Sequence, residues 1–435
     1  MIWPAAIVLI LILAIVFRLG LLMYAMYALL GILLVSRYLT YRWAAALTAS
    51  RECNTLVAEE GDEVAVIVTI ENSGNLPIPW VMVEDLLPRD ALLFDPPRLG
   101  VAGQRVQLMH LGPGSRKSLR YQLRCNRRGY YQLGPLVLET GDLFGLHRRF
   151  RVLTEPHFLL VMPRVIPLTG YAISSKRPIG EVRMTYRLYE DPTRISGVRA
   201  YQEGDPLNRI HWRATARTGL LHSKVYEPST VAGATILMDF HRNSHDVRHE
   251  PRRSELAITA AASIAHAVSL MNQQVGLITN GRDAADRIRT EGWAGDWRTR
   301  EAAQGAASVR ATNDRLRPVV IGTRRGGDQL QQILEMLARL ELTDGLTLPQ
   351  TILETASRMP RDATVIAILP RVTPEIAIAL GLLRRRGLAV TAILNIFEPY
   401  DYADAVALLM AEQIETRHLQ SEESIADICA EYWLR

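Results

Sequence analysis

The chain has 435 residues, too many for one ordinary domain, and its 48% apolar and 22% charged content is that of a globular protein with a core to bury. A net charge of +5, with Lys and Arg dispersed among acids, describes a solvated mixed surface rather than a nucleic-acid track. Cys53, Cys125 and Cys429 are too few and too far apart for a disulfide framework or thiolate metal site, and suit a reducing cytosol.

Met1 to Val35 is apolar almost throughout, with Arg18 its only charge. One straight helix over it would be about 50 Å long, against about 30 Å of hydrocarbon in a bilayer. A break at Phe17–Gly20 is therefore expected, making residues 1–36 a transmembrane helical hairpin with Arg18 at the interface; one tilted span is the alternative. Neither the basic start nor the small-residue cleavage site of a signal peptide is present. Arg37, Arg42 and Arg51 follow, with Tyr38, Tyr41 and Trp43 as interfacial anchors. By the positive-inside rule the soluble part then faces the cytoplasm. Residues 37–53 read as a juxtamembrane linker.

From Asn54 the apolar residues alternate with period two, as in "EVAVIVTIEN", and Gly and Pro clusters separate the runs. Residues 54–163 are expected to form an immunoglobulin-like β-sandwich, without that fold's cysteine–tryptophan–cysteine hallmark. Beyond Val231 continuous apolar strands ("ATILMDF", "VGLITN", "ATVIAILP", "LAVTAILNI") alternate with helical runs. Residues 231–435 are therefore expected to be a doubly wound, mainly parallel α/β sheet, interrupted by a polar loop or insertion at 281–318.

The connector, 164–230, contains "YQEGDPLNRIHWRATARTGLLHSKVYEP". Asp205-Pro206 is a helix-start pair and Gly219 a stop, so one helix is expected between them. Leu207, Ile210, His211, Ala214 and Thr218 would share its packed side, and Arg209, Arg213 and Arg217 a ridge near the opposite one. Like charges at that spacing cost about 0.2–0.5 kcal/mol per pair in an isolated helix. An anion is expected to offset this: Glu190, Asp191, Glu203, Asp205 or Glu227, or an outside partner. Trp212 is expected to pack inward. A structural brace is the leading reading, ahead of a docking surface. Catalysis by Asp205, His211 and the arginines comes last, because His211 is on the packed side with no nucleophile beside it.

These residues resemble the bacterial domain-of-unknown-function family numbered 58, DUF58. Its signature is matched by Arg199, Tyr201, Gly204 and Asp205, then Arg209, Ile210 and Trp212. Thr215, Ala216, Arg217 and Gly219 match the turn, and Lys224, Tyr226 and Glu227 the exit. Upstream, Arg128-Gly129-Tyr130 and Asp142 to Gly145 match as well. The resemblance implies a von Willebrand factor A-like α/β domain and a non-enzymatic, membrane-tethered adaptor. It also implies partners among MoxR-type AAA+ ATPases and membrane proteins, in complex assembly or envelope functions. The family's A-like domain holds Mg²⁺ with an Asp-x-Ser-x-Ser loop. Here Asp239 is followed by His241 and Asn243 in place of both serines, so no cofactor is expected, Mg²⁺ being the alternative. Strand carboxyl ends are where such sheets bind, which makes Asp239 to Asn243, the Asn280 region and Pro370 the expected docking face. The competing reading is an enzyme acting on an anionic or envelope substrate.

Overall fold

The computed structural model describes residues 10, 12–13, 16, 20–93, 96–168, 190–202, 210–228, 233–291, 316–360 and 363–430. Two compact units divide the chain: Met1–Arg164 with Arg282–Asp314 and Leu334–Thr343, and Val165–Gly281 with Arg315–Ile333 and Asp344–Arg435.

The first unit begins with helix α1 (Gly20–Ala46), among the described residues the one helix long and apolar enough to cross a membrane. The two-span hairpin finds no support. Of the first apolar run only Ile10, Ile12, Leu13 and Val16 are described, all helical, and Phe17–Leu19 lie outside the described residues. The linker expected over 37–53 is corrected, because the helix runs on to Ala46 and strand β1 (Leu47–Cys53) follows at once. Ser36, Thr40, Trp43 and Ala44 share one helical face, and that face is buried, so packing carries the helix through the expected linker.

The β-region comprises β2 (Val57–Glu59), β3 (Glu63–Asn72), β4 (Ile78–Asp85), the short helix α2 (Arg89–Leu93), β5 (Leu99–Gly103), β6 (Val106–Leu111), β7 (Arg116–Cys125), β8 (Gly129–Leu133), β9 (Leu136–Gly141), β10 (Arg148–Thr154) and β11 (His157–Met162). Four-stranded sheets in the orders β1-β3-β7-β5 and β10-β9-β4-β6 enclose one core, and β2-β11-β8 form a third sheet. Val64, Val66, Val68 and Ile70 of β3 and Leu119, Tyr121, Leu123 and Cys125 of β7 are the inward half of the period-two pattern.

Arg51 has a different place from the one expected. It lies inside the sandwich and not among the interfacial cations. Its Nε donates to Asp85 Oδ2 at 3.0 Å, Nη2 bonds Asp85 Oδ1, and Nη1 donates to the Leu133 and Glu155 carbonyls, both at 3.0 Å. The Tyr121 hydroxyl donates to Asp85 Oδ2 at 2.7 Å, and burial, reinforced by Asp85, pushes that phenol up.

The second unit opens with an antiparallel pair, β12 (Glu190–Ala200) and β13 (His222–Pro228), with helix α3 (Trp212–Thr218) between them. It continues with β14 (Gly233–Met238), α4 (Arg252–Leu270) and β15 (Gln274–Thr279). Next in the chain come β16 (Arg282–Asp283), α5 (Ala284–Glu291), β17 (Val319–Arg324), α6 (Gly327–Arg339) and β18 (Leu340–Glu341). The chain ends in α7 (Leu348–Thr355), β19 (Ala363–Leu369), α8 (Pro374–Arg385), β20 (Ala389–Leu394), α9 (Pro399–Ala411), β21 (Glu415–His418) and α10 (Glu422–Ala430). The sheet order is β17-β15-β14-β19-β20-β21, parallel except for the antiparallel edge strand β17. Every described side chain of β14 and β19 is buried, as a strand covered on both faces requires.

The polar stretch expected as a loop over 281–318 begins with structure: β16 pairs with β18, and α5 follows. Arg287 and Arg339 tie this piece together through Glu341 at 2.7 Å and Asp283 at 3.3 Å. Residues 292–315 lie outside the described set. Within the first unit, Arg128 Nη1 donates to the carbonyls of Leu337, Ala338 and Leu340 at 2.9, 3.2 and 3.0 Å, meeting the open carbonyl end of α6.

Candidate functional site

In the order above, β14 leads to β15 on one side while β19 is followed by β20 on the other. The carboxyl ends of β14 and β19 therefore flank the point where the winding reverses, the place at which doubly wound sheets bind ligands. A cleft of about 440 Å³ opens there, lined by residues after β14 (Asn243 to Asp246), after β19 (Pro370 to Val372) and after β20 (Ile396, Glu398), with Arg253 of α4 and Asp401 and Asp404 of α9.

Behind His245, which lines it, lies a buried polar network. Asp239, the residue after β14, accepts from the His241 backbone N–H at 3.1 Å and from Asn280 Nδ2 at 2.9 Å, both through Oδ1. Asn280 in turn accepts from the Phe240 N–H at 2.7 Å and donates to the Leu346 carbonyl at 3.1 Å. His245 has an acceptor at each ring nitrogen, the Asp239 carbonyl at 3.2 Å and Glu250 Oε1 at 2.8 Å. Burial pushes the Glu250 carboxyl up, but the bonds from His245 and Ser254 outweigh it and hold the group below its ordinary value.

Arg253 supplies buried positive charge. Its guanidinium stacks on the Phe397 ring at 5.1 Å from the centroid, and Nη1 lies 3.5 Å from the Pro370 carbonyl. Burial lowers its pKa, and Glu250, Asp246, Asp401 and Glu398 pull it back up. Opposite stand Asp401, Asp404 and Glu398, all exposed, with Arg371 exposed on the rim. Val247 and Tyr400 are 85% and 88% exposed on the segments that flank the opening.

The three residues singled out for a metal do not gather round one point. His241 Nδ1 accepts from the Asn243 N–H at 3.2 Å, so it caps the turn Arg242–Ser244 instead of facing an ion. Asp239 Oδ2 is buried without a hydrogen bond among the described residues, which leaves one carboxylate oxygen and no hydroxyl partner. That donor set does not fit an oxygen-loving Mg²⁺. Among the described residues no group of three His, Cys, Asp or Glu side chains is placed to hold a metal.

The connector signature is placed elsewhere in this unit. Its expected helix from Asp205 is shorter: Ile210 is buried and bridges to Ser223 as an extended residue, and the helix starts only after His211. His211 Nδ1 accepts from the Ala214 N–H at 3.0 Å and so caps α3. Gly219 closes the helix as expected, with φ at 71° and its N–H bonded to the Thr215 carbonyl. Trp212 does not pack inward; it is 68% exposed, because α3 has only two turns and buries none of its side chains. Arg213 and Arg217 are exposed, Arg199 Nη1 donates to the Ala200 carbonyl at 3.2 Å, and the Tyr201 N–H bonds the Leu221 carbonyl at 2.9 Å. Gly204, Asp205 and Arg209 lie outside the described residues, as does the side chain of Glu227.

Of the docking face expected from the sequence, Asn243 and Pro370 line this cleft and Asp239 and Asn280 do not, while Arg253, His245, Glu398, Asp401 and Asp404 were not foreseen. A signal was present in "NIFEPYDYAD": acids at 398, 401 and 404 follow an apolar strand at the spacing of one helix face.

An apolar amino-terminal helix, a β-sandwich and a doubly wound α/β unit thus define a two-unit protein with a polar cleft at the strand ends of the second unit. Residues 197–295 match the family described as "Protein of unknown function DUF58". The chain is 26% identical over 260 residues to the uncharacterized protein YeaD of Bacillus subtilis (strain 168), covering 59% of this chain and 62% of that protein, so the match spans less than two thirds of the relative. Solved structures similar to parts of the chain include the CARDB domain of the PF1109 protein from Pyrococcus furiosus, at 16% identity over 26% of this chain and 86% of that one, TM-score 0.17. Another is a non-cellulosomal cohesin from Archaeoglobus fulgidus, at 17% identity over 26% and 91%, TM-score 0.18. Scores this low bear on neither fold nor function.

Proposed function

We propose that the chain is a membrane-tethered, non-enzymatic adaptor at the cytoplasmic face of a bacterial inner membrane. Its carboxyl-terminal unit acts as a von Willebrand factor A-like docking module. The observation that carries this reading is the cleft at the winding reversal, where a buried arginine faces three exposed acids between uncovered Val247 and Tyr400. Such a surface recognises a partner segment that brings a basic side chain to Asp401 and Asp404 and apolar contacts to the lips. The family resemblance makes a MoxR-type AAA+ ATPase the first partner to examine. The His241 and Asn243 replacements set this docking apart from the metal-bridged kind, since the partner is held by charge and apolar area alone.

The test uses full-length protein in detergent and the MoxR-type ATPase of the same cell, with and without nucleotide. The reading predicts binding that weakens at least about tenfold, roughly 1.4 kcal/mol, in the double variant Asp401→Arg/Asp404→Arg. No binding by the unaltered chain, or binding indifferent to the charge reversal, sinks it.

A further inference from the structure

The Asp142–His147 loop joins β9 to β10 in the first unit, far along the chain from the cleft residues. Its backbone turns on Gly145, whose φ of 72° favours glycine, and the Gly145 N–H bonds the Asp142 carbonyl at 3.4 Å. Asp142 is buried. Its Oδ2 accepts from the Ser36 hydroxyl at 2.5 Å, the same hydroxyl lies 2.9 Å from His147 Nδ1, and the His147 N–H donates to Asp142 Oδ1 at 3.2 Å. The loop is thus pinned to the flank of α1 at one point.

Beyond that pin its character changes. Leu143 and Phe144 are 74% and 71% exposed, an unusual use of large apolar side chains at a loop tip. Together with Ala28, Gly31, Ile32 and Val35 of α1, and with Leu39 and Trp43 beyond Ser36, they wall an almost purely apolar groove of about 330 Å³. Ala28 lies eight residues before Ser36, so the groove reaches about 12 Å down the helix from the pin. That length falls within the uncharged run of α1, whose next charge is Arg37. On the other side of the pin the groups are those of a headgroup layer: Arg37 and Arg42 are exposed, and Arg149 stacks over the Tyr41 ring at 4.9 Å.

We infer that Leu143 and Phe144 form a wedge that dips into the bilayer beside α1, and that the groove between them is filled by a phospholipid acyl chain. The position of the groove argues for this occupant, since its Ala28–Val35 part stands at the level of the span, it opens where α1 exposes Ile32 and Val35, and its other end, at Leu39 and Trp43, reaches the level of the arginines, as a chain hanging from a headgroup requires. Asp142 and Ser36 fix the depth, and the arginines sit at the phosphates. The sandwich is then held against the membrane at two points, α1 and the wedge, which restricts its tilt. The inference rests on the membrane-anchored reading, and the test separates the two.

Full-length protein with Cys53→Ser and Cys429→Ser is reconstituted into phosphatidylethanolamine–phosphatidylglycerol vesicles and spin-labelled at one introduced cysteine: Leu143→Cys, Leu34→Cys on the exposed face of α1, or Glu63→Cys at the exposed start of β3. Collision with oxygen relative to a water-soluble nickel chelate reports lipid against water. Positions 143 and 34 are expected to give ratios severalfold above position 63. A lipid-like ratio at 34 with a water-like one at 143 overturns the wedge and leaves the anchor standing. Water-like ratios at both overturn the anchor, and the wedge with it.

Discussion

Removing either partner of the Arg51–Asp85 pair should destabilise the sandwich far more than loss of a surface ion pair. Both side chains are fully buried, with Asp85 also bound by the Tyr121 hydroxyl and Arg51 by two backbone carbonyls. Breaking a buried pair by deleting one partner costs about 3–5 kcal/mol, because the survivor keeps its desolvation cost without its counter-charge. Arg51→Ala leaves Asp85 with one hydroxyl and belongs at the upper end, near 5 kcal/mol. Asp85→Ala leaves Arg51 two carbonyls and belongs nearer 3 kcal/mol. Hydrogen–deuterium exchange of the β3 and β7 peptides, in full-length protein in detergent, reads the opening free energy of this unit directly. At about 1.4 kcal/mol per decade, exchange there should quicken by roughly two to four orders of magnitude. Arg51→Met/Asp85→Leu should cost clearly less than the two single losses summed. Single losses below about 1 kcal/mol, the size of an exposed pair, would refute the reasoning.

Glu250 carries a pH dependence with a definite sign. Its folded pKa lies below the ordinary 4.5, so its contribution to stability is whole above pH 4.5 and is lost as pH falls through the lowered folded value. Acid titration of thermal stability should show this limb flattened in Glu250→Gln, and an unaltered limb in that variant would refute the assignment. Arg128→Met should cost about 2–4 kcal/mol through loss of charge-assisted bonds to three carbonyls, read as faster exchange in peptides covering 334–343. Gly219→Ala should loosen α3 by about 1 kcal/mol from its left-handed backbone alone, since a Cβ there meets nothing within 4 Å. Gly219→Asn should cost less, again by exchange.

The parts legible in the sequence are those where one face of a periodic pattern is enough. The alternation in β3 and the unbroken apolar runs of β14 and β19 announced a sandwich and a doubly wound sheet before any contact was known. Features that depend on partners distant in the chain were not legible. Arg51 reads as an interfacial cation until Asp85, 34 residues on, is seen to enclose it. The 37–46 segment reads as a linker because the surface that buries Ser36, Thr40 and Trp43 is made by strands still to come. Asp205-Pro206 is a sound local helix signal, yet the Ile210 bridge to Ser223 delays the helix to Trp212, a pairing that propensity does not contain. The cleft shows both halves: its position follows from strand order, but Arg253 sits on a helix that gives no sign of turning a cation toward three acids of α9 and its start.

The most direct measurement of the docking account is site-specific photo-crosslinking in native membranes, with the reactive side chain at Val247, at Tyr400, or at Met271 near the amino ends of the strands. The account predicts adducts with a AAA+ ATPase from 247 and 400, lost in Asp401→Arg/Asp404→Arg, and none from 271. Adducts of equal strength from 271, or none from 247 and 400 while the ATPase is present, would contradict it.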